Sequence, residues 1–189
     1  MSRPTIAMND RPVYLLPGWL NSDPGHWQSE WERRHGDVRV EQDDWEWPRR
    51  GDWMARLDEV LQNDVRLGDV PALLVAHSLG CQLVASWAQH SSHTARVAGA
   101  LLVAPPDTER EDMPPQLHNW QPIRRPRLPF PAIVVASSDD PFCQPERAAG
   151  MAADWGAEFM IAGALGHLNT ASGLGAWPEG RALLKRLAD

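Results

Sequence analysis

The chain has 189 residues, of which 43% are hydrophobic, and its formal net charge is −7 at pH 7. This length is typical of a single domain, and such a domain buries about 70% of the surface that its unfolded chain exposes. The acidic balance argues against a nucleic-acid partner. No apolar run approaches the roughly 20 residues of a membrane span, so no membrane partner is expected either.

In chain order, six apolar runs with the length of buried strands alternate with segments of helical periodicity. The predicted strands are 13–16, 38–40, 72–76, 97–104, 132–136 and 157–162. The predicted helices are 26–34, the segment N-capped by Asp52, the segment after Ser78, and the segments opened by Pro145 and Pro178. This alternation predicts a parallel sheet with helices on both faces, which is a doubly wound α/β fold.

The stretch from Pro105 to Pro131 interrupts the alternation. It holds eight of the seventeen prolines, and we expect mostly loop with one short helix near 113–120. A loop of this length in a compact domain is usually functional or poorly ordered. We therefore expect it to shape a substrate pocket together with Trp19. Residues 1–10 are expected to form a loose tail, and residues 11–189 a single domain.

The third predicted strand leads directly into the sequence Ala76-His77-Ser78-Leu79-Gly80. This is the pattern of a nucleophile elbow, G-x-S-x-G, with alanine in place of the first glycine. The elbow is a sharp strand-to-helix turn that lifts the serine hydroxyl above the sheet. Small residues flank the serine because the two backbones nearly touch there. The alternative is that Ser78 only caps an ordinary helix.

Asp140 and His167 follow the fifth and sixth predicted strands, as Ser78 follows the third. The carboxyl ends of parallel strands share one edge of the sheet, so these side chains should project from the same edge. The order Ser, Asp, His is that of α/β-hydrolases. A serine hydroxyl needs an adjacent base, and an imidazole can take its proton and return it to the leaving group. The aspartate would hold the imidazole tautomer.

Two other aspartates are alternatives for the acid. Asp139 is the direct neighbour of Asp140, and Asp107 follows the fourth predicted strand. We favour Asp140 because the Asp-Pro sequence fixes the backbone just after it.

Two backbone amides are expected to form an oxyanion hole. One is the N–H of Leu79, the residue after the nucleophile, and the other should come from the loop after the first strand. We assign Trp19 to that second role, with Leu20 as its substitute. Leu20 and His26 are also candidates for a substrate pocket, although His26 could instead only start a helix. His77 is expected to pack against the sheet.

No H-E-x-x-H or C-x-x-C pattern indicates a metal, and no glycine-rich dinucleotide or P-loop motif follows a strand. We therefore expect neither a metal nor a cofactor. The two cysteines are too few for a disulfide framework, and no apolar signal segment follows Met1, so we expect a cytoplasmic protein. Cys81 is expected to be buried and Cys143 to be partly exposed.

The sequence resembles the retinoblastoma-binding protein 9 family of small serine hydrolases, including its bacterial members. The segments that carry the resemblance are Leu16 to Ser22, His26-Trp27-Gln28, Val75 to Gly80, Ser137 to Pro141, Gly166 to Asn169, Ser172 to Gly175 and Trp177 to Gly180. The resemblance implies a compact six-stranded sheet of order 2-1-3-4-5-6 without a large lid. It also implies a triad of Ser78, Asp140 and His167. The vertebrate member that names the family carries a Leu-x-Cys-x-Glu motif, but here the segment Leu79-Gly80-Cys81-Gln82-Leu83 has leucine in place of the glutamate, so a retinoblastoma-type partner is not expected.

These observations favour a serine hydrolase that forms an acyl-enzyme on a small-molecule ester, that is, a carboxylesterase. An amide or a thioester substrate is an alternative, and so is haloperoxidase or C–C hydrolase chemistry on the same triad. The alternative from another class is a non-catalytic binding protein on a hydrolase scaffold. The sequence predicts neither the identity of the substrate nor the oligomeric state.

Overall fold

The computed structural model describes residues 11–66 and 68–188, so the expected tail at 1–10 lies outside the described residues. Six strands form one sheet of order β2-β1-β3-β4-β5-β6, in which every neighbouring pair is parallel. The strands are β1 Val13–Leu16, β2 Val38–Arg39, β3 Ala72–His77, β4 Val97–Val103, β5 Ala132–Ala136 and β6 Glu158–Ile161. This architecture confirms the predicted fold class and strand order.

In the described residues, four α-helices lie between strands and a fifth follows β6, and together they cover both faces of the sheet. They are α1 Trp27–His35, α2 Arg50–Asn63, α3 Leu79–His90, α4 Pro145–Trp155 and α5 Pro178–Ala188. Helices α2, α3 and α4 contribute to the hydrophobic cluster on one face, and α1 and α5 contribute to the cluster on the other. Among the helices of the described ranges, none combines the length and the apolar character needed to cross a membrane.

The two hydrophobic clusters follow the two-residue period of the strands. In β1, Tyr14 and Leu16 belong to the cluster under α2, α3 and α4, whereas Val13 and Leu15 belong to the cluster under α1 and α5. Successive side chains of a strand point to opposite faces, so a strand covered on both sides needs apolar residues at every position. The buried strands β1, β3, β4 and β5 are nearly continuous apolar runs in the sequence for that reason.

Helix α2 begins earlier than predicted. Its N-cap is Arg49, which makes no side-chain capping bond, and Asp52 lies inside the first turn. The expectation that Asp52 caps the helix was therefore wrong. The Asn119 side chain accepts a hydrogen bond of 2.7 Å from the N–H of Arg50, and this partner is remote in sequence.

The proline-rich stretch 105–131 packs on the core and contains a 3-10 helix at Pro115–Trp120. Leu117, Trp120 and Phe130 are buried in the cluster that includes α2, α3 and α4. The Trp120 indole N–H donates to the carbonyl of Pro48, 2.9 Å away. The expectation that this stretch shapes the pocket is not met at the cleft that contains Ser78 and His167, because Trp19 lines that cleft but no residue of 105–131 does.

Candidate active site

A cleft lies at the carboxyl edge of the sheet, at the point where the strand order reverses. Strand β1 sits between β2 and β3, so the connections after β1 and after β3 run in opposite directions. The crevice at such a switch point is the usual ligand site of an open α/β sheet. The cleft here has a volume of about 460 Å³ and includes Ser78 and His167 in its wall.

Ser78 connects β3 to α3 in a backbone conformation that few side chains adopt. Its φ is 53° and its ψ is −122°. The turn is held by two main-chain bonds, from the N–H of Ser78 to the carbonyl of Val103 and from the N–H of Cys81 to the carbonyl of Ser78, both 2.9 Å long. A strained residue held by its surroundings in this way is typical of functional sites.

Two glycines allow the chain to pass close to this turn. A side chain on Gly80 would overlap the carbonyl oxygen of Leu16, at the end of β1. A Cβ atom on Gly18 would lie 2.7 Å from the Cβ atom of Ser78 and 3.2 Å from its Oγ. Glycine at both positions therefore lets the loop after β1 and the start of α3 approach each other across the serine.

Ser78, His167 and Asp140 form a continuous hydrogen-bonded chain. The Nε2 atom of His167 lies 2.8 Å from the Oγ atom of Ser78. The Nδ1 atom of His167 lies 2.9 and 3.0 Å from the two carboxylate oxygens of Asp140. A carboxylate only accepts, so Nδ1 carries the proton and Nε2 is free to accept from the serine hydroxyl. This arrangement can transfer a proton from Ser78 to His167.

The three candidate aspartates have different partners. Asp140 is buried. Its Oδ1 also accepts a hydrogen bond of 2.9 Å from the N–H of Phe142, and this bond fixes the orientation of the carboxylate. Asp107 is bound at both oxygens by the guanidinium of Arg147, at 2.8 Å each. Burial is the largest single effect and raises the pKa of Asp107, but the bonds from Arg147, the N–H of Glu109 and the charges of Arg147 and Arg110 together lower that pKa.

Asp139 points to the loop that follows β6. Its Oδ1 accepts the hydroxyl of Ser137 and the N–H of Gly166, both at 2.7 Å. The bond from Ser137, followed by the bond from Gly166, lowers the pKa of the Asp139 carboxyl. Asp139 therefore contacts the main chain next to His167, whereas Asp140 contacts the imidazole itself.

The amides near the nucleophile differ in what they bind. The N–H of Leu20 donates to the carbonyl of Trp45 at 3.2 Å. Within residues 11–66 and 68–188, the amides of Trp19 and Leu79 make no such backbone bond. The ring of Trp19 is held at one end, because its Nε1 donates to the carbonyl of Glu46 at 2.9 Å. The amide of Leu20 is thus engaged by the main chain, whereas those of Trp19 and Leu79 are not.

Two buried histidines lie next to Ser78 and His167, and both form part of the cleft wall. His26 is the N-cap of α1, where its Nδ1 accepts the N–H of Gln28, and it also lines the cleft. Burial lowers the pKa of His26 to about 4 and holds the pKa of His77 well below its usual range. Both rings are therefore neutral at pH 7, and each carries one N–H and one lone pair.

The cysteines offer no alternative nucleophile. Cys81 and Cys143 are both buried, so the expected partial exposure of Cys143 was wrong. Burial raises the pKa of Cys143 to about 12 and raises that of Cys81 as well. Because the thiolate is the reactive form, neither thiol is activated at neutral pH.

Polar side chains make up much of the remaining cleft wall. Asn21 and Asp23 come from the loop after β1, and Asn169 and Thr170 come from the loop after β6. The Thr170 hydroxyl donates to Asp23 at 2.8 Å and so joins the two loops. These four residues were not among the predicted site residues, although the loops that carry them follow β1 and β6. Leu20, which was among the predicted residues, is 58% exposed and lies between two cleft residues.

No group of three or more histidine, cysteine, aspartate and glutamate side chains that could hold a metal ion occurs in the described part of the chain. No curated protein matches the sequence significantly.

Solved structures with this fold are numerous. A protein described as a YdeN-like hydrolase from Pectobacterium atrosepticum is 29% identical, with a TM-score of 0.79 over 94% of this chain and 90% of that chain. The ydeN gene product of Bacillus subtilis is 20% identical, with a TM-score of 0.72 over 94% and 98%. An esterase from Thermogutta terrifontis is 17% identical, with a TM-score of 0.63 over 95% and 91%.

The sequence of residues 13–186 matches the profile of a protein family described as serine hydrolase. This match spans every strand of the sheet and the cleft at its carboxyl edge. The chain therefore belongs to the serine hydrolase family.

Proposed function

We propose that the chain is a carboxylesterase for small esters in which Ser78 is the nucleophile, His167 the general base and Asp140 the residue that orients the base. The observation that carries this proposal is the hydrogen-bonded chain from Ser78 through His167 to Asp140 in the wall of the cleft. Membership in the serine hydrolase family and the fold shared with esterases support the reaction class.

In the acylation step, Nε2 of His167 takes the hydroxyl proton of Ser78 as Oγ attacks the ester carbonyl carbon. The new C–O bond converts the carbonyl oxygen into an oxyanion. The imidazolium that forms is stabilised by Asp140, whose carboxylate accepts the N–H at Nδ1. The tetrahedral intermediate then expels the alcohol oxygen, which takes the proton from Nε2, and leaves an acyl group on Ser78.

The amides of Trp19 and Leu79 are the proposed donors to the oxyanion. Leu79 is the first residue of α3, so its N–H has no partner within the helix and points out of its N-terminus. Trp19 is favoured over Leu20 because the Leu20 amide already donates to Trp45. Donors of this kind stabilise the transition state by about 3–4 kcal/mol each in related mechanisms.

Deacylation uses the same groups. A water molecule next to Nε2 of His167 gives up a proton to it and attacks the acyl carbon. The second tetrahedral intermediate collapses, Ser78 recovers the proton from His167, and the carboxylic acid leaves. Proton and electron pairs return to their starting places, so no cofactor is required.

The proposed substrates are esters with short acyl chains. The cleft of about 460 Å³ is at the small end of the range for ligand pockets. The polar Asn21, Asp23 and Thr170 in its wall leave little continuous apolar surface for a long hydrocarbon chain. His26 is proposed to contact the bound substrate, and Leu20 to lie at the rim of the cleft.

Covalent labelling with a fluorophosphonate probe tests the nucleophile. We expect the folded protein to be labelled once, and mass spectrometry of the digested protein to place the adduct on Ser78. The variant Ser78→Ala should lose the labelling. Ser138→Ala is the matched control, because Ser138 is an exposed serine on the loop after β5 and lies outside the proposed machinery. An unlabelled wild-type protein would refute the proposal.

A series of p-nitrophenyl esters tests the substrate class. We expect kcat/KM to be highest for acetate and butyrate and to fall for octanoate and longer chains. Matched thioesters and anilides measure the preference for esters. A preference for long chains would contradict the assignment of a small ester.

The narrower resemblance to the retinoblastoma-binding protein 9 family and the cytoplasmic location stay predictions from the sequence. The resemblance to that family depends on the segments around Ser78, Asp140 and His167.

A further inference from the structure

The loop that carries His167 depends on contacts from other parts of the chain. It follows β6 and includes three residues with left-handed backbone, Gly163, Gly166 and Leu168, at φ values of 108°, 57° and 50°. Such a path has no repeating hydrogen-bond pattern that would fix it. The position of the imidazole is therefore set by the groups that bind this loop.

Two such contacts hold the residues on either side of the base. The indole Nε1 of Trp27 donates to the carbonyl of Leu168 at 2.8 Å. The carboxylate of Asp139 accepts the N–H of Gly166 at 2.7 Å. Both contacts restrain the loop, but neither is made to His167 itself.

A third contact reaches the main chain of His167 directly. The Nε2 atom of His77 lies 2.9 Å from the carbonyl oxygen of His167. A carbonyl only accepts, so the bond requires the N–H of His77 to be on Nε2. The residue that makes this bond directly precedes Ser78 in the chain.

The ring of His77 has little room to move. It is 5% exposed, and its centroid lies 4.6 Å from the ring centroid of His26 and 4.9 Å from that of His167. Its backbone is fixed at the last position of β3, in register with Val103 of β4. The donor of the bond is thus held by the same strand that positions the nucleophile.

We propose that His77 is a positioning residue that sets the distance between the nucleophile and the base. Its Nε2–H···O bond fixes the main chain of His167 relative to Ser78, and so keeps Nε2 of His167 within 2.8 Å of Oγ. This inference rests on the proposed roles of Ser78 and His167. Loss of the bond should slow the chemical step more than it weakens substrate binding, because His77, although it forms part of the cleft wall, donates to the main chain of the base.

Three substitutions separate this role from simple packing. In His77→Gln the amide nitrogen can occupy the place of Nε2 and donate. In His77→Met a side chain of the same length lacks the donor, and in His77→Asn the amide is one methylene too short to reach. We expect His77→Met and His77→Asn to lower kcat by about 10- to 100-fold with KM within about threefold, since a displacement of about 1 Å costs up to about 100-fold. His77→Gln should recover most of the activity.

The readouts are kcat and KM on p-nitrophenyl acetate and the rate of fluorophosphonate labelling of Ser78, at a temperature where circular dichroism shows each variant folded. Suppose that wild-type protein is labelled, but that kcat and the labelling rate of His77→Gln are no higher than those of His77→Met and His77→Asn. The positioning role is then overturned and the proposed function stands. If the variants change KM rather than kcat, the positioning role is overturned as well. If wild-type protein is not labelled at Ser78, the proposed function fails and this inference fails with it.

Discussion

Gly80, at the start of α3, touches the end of β1: a methyl group on Gly80 would overlap the carbonyl oxygen of Leu16. The first turn of the helix therefore rests on the neighbouring strand. This contact sets the height of Ser78 above the edge of the sheet, because Ser78 is only two residues before Gly80 in the chain.

The substitution Gly80→Ala should destabilise the protein. The added methyl group would meet the main-chain carbonyl of Leu16, which cannot rotate away as a side chain can. The helix must therefore shift away from the strand, and we expect this to cost about 1–3 kcal/mol or more of stability. Urea denaturation followed by circular dichroism measures the free energy of unfolding. The matched control is Gly150→Ala in α4, where a Cβ atom would meet nothing within 4 Å. Alanine should stabilise α4 by up to about 1 kcal/mol, and equal effects at the two glycines would contradict the contact described here.

The substitution Gly18→Ala should reduce activity more than stability. The added Cβ atom would lie 2.7 Å from the Cβ atom of Ser78, so the loop that bears Trp19 must move away from the nucleophile. We expect kcat for p-nitrophenyl acetate to fall by about 100-fold, the cost of losing one oxyanion donor. Gly51→Ala, in the open first turn of α2, serves as the control. A Gly18→Ala enzyme with unchanged kcat would argue against an oxyanion donor in this loop.

The substitutions Asp140→Asn and Asp139→Asn should have unequal effects. Asparagine at 140 would present an amide to the imidazole and favour the wrong tautomer, which costs about 10⁴-fold in kcat in a comparable triad. Asparagine at 139 keeps an oxygen that can accept from Ser137 and Gly166, so we expect less than about a tenfold loss. Steady-state kinetics on one ester compares the two, and similar losses would overturn the choice of Asp140.

The stability of the protein should fall on the acid side because of His26. Above pH 6.5 the ring is neutral in both the folded and the unfolded chain, so its titration has no effect. Burial lowers the pKa of His26 in the folded chain to about 4. Between pH 6.5 and about 4, this ring is therefore protonated in the unfolded chain and neutral in the folded chain. This linkage removes about 3 kcal/mol of stability by pH 4, and the buried His77 acts in the same direction.

The variant His26→Asn isolates that effect. Asparagine can still accept the N–H of Gln28 as the N-cap of α1, but it does not titrate. Urea denaturation at pH 7, 5.5 and 4.5 should show a shallower loss of stability for the variant than for wild type. Parallel curves for the two proteins would show that His26 does not contribute.

The sequence was sufficient for the fold because the central strands β1, β3, β4 and β5 are nearly continuous apolar runs and several helix ends carry local sequence signals. The glycine and proline boundaries of α4 and α5 are local signals, and both helices begin at the predicted prolines. The start of α2 was missed because its partner, Asn119, is 69 residues away from Arg50. Periodicity carries no information about such a contact.

The candidate site was predictable to the extent that it depends on strand ends. Ser78, Asp140 and His167 each follow a strand, and the structure places their side chains in contact, although their roles stay a proposal. The observation that favours Trp19 over Leu20 could not be read from the sequence, because it is the hydrogen bond from the Leu20 amide to the carbonyl of Trp45.

The left-handed backbone conformation of Ser78 lowers the stability of the folded protein at the same residue that the proposed activity requires. A side chain at φ 53° and ψ −122° costs about 1–3 kcal/mol, and that energy is supplied by the rest of the fold. Glycine would relieve it, so Ser78→Gly should unfold at a higher temperature than Ser78→Ala, which keeps a Cβ atom there. The proposed nucleophile is thus a position where the most stable sequence and the active sequence differ, and selection for stability alone would remove the hydroxyl.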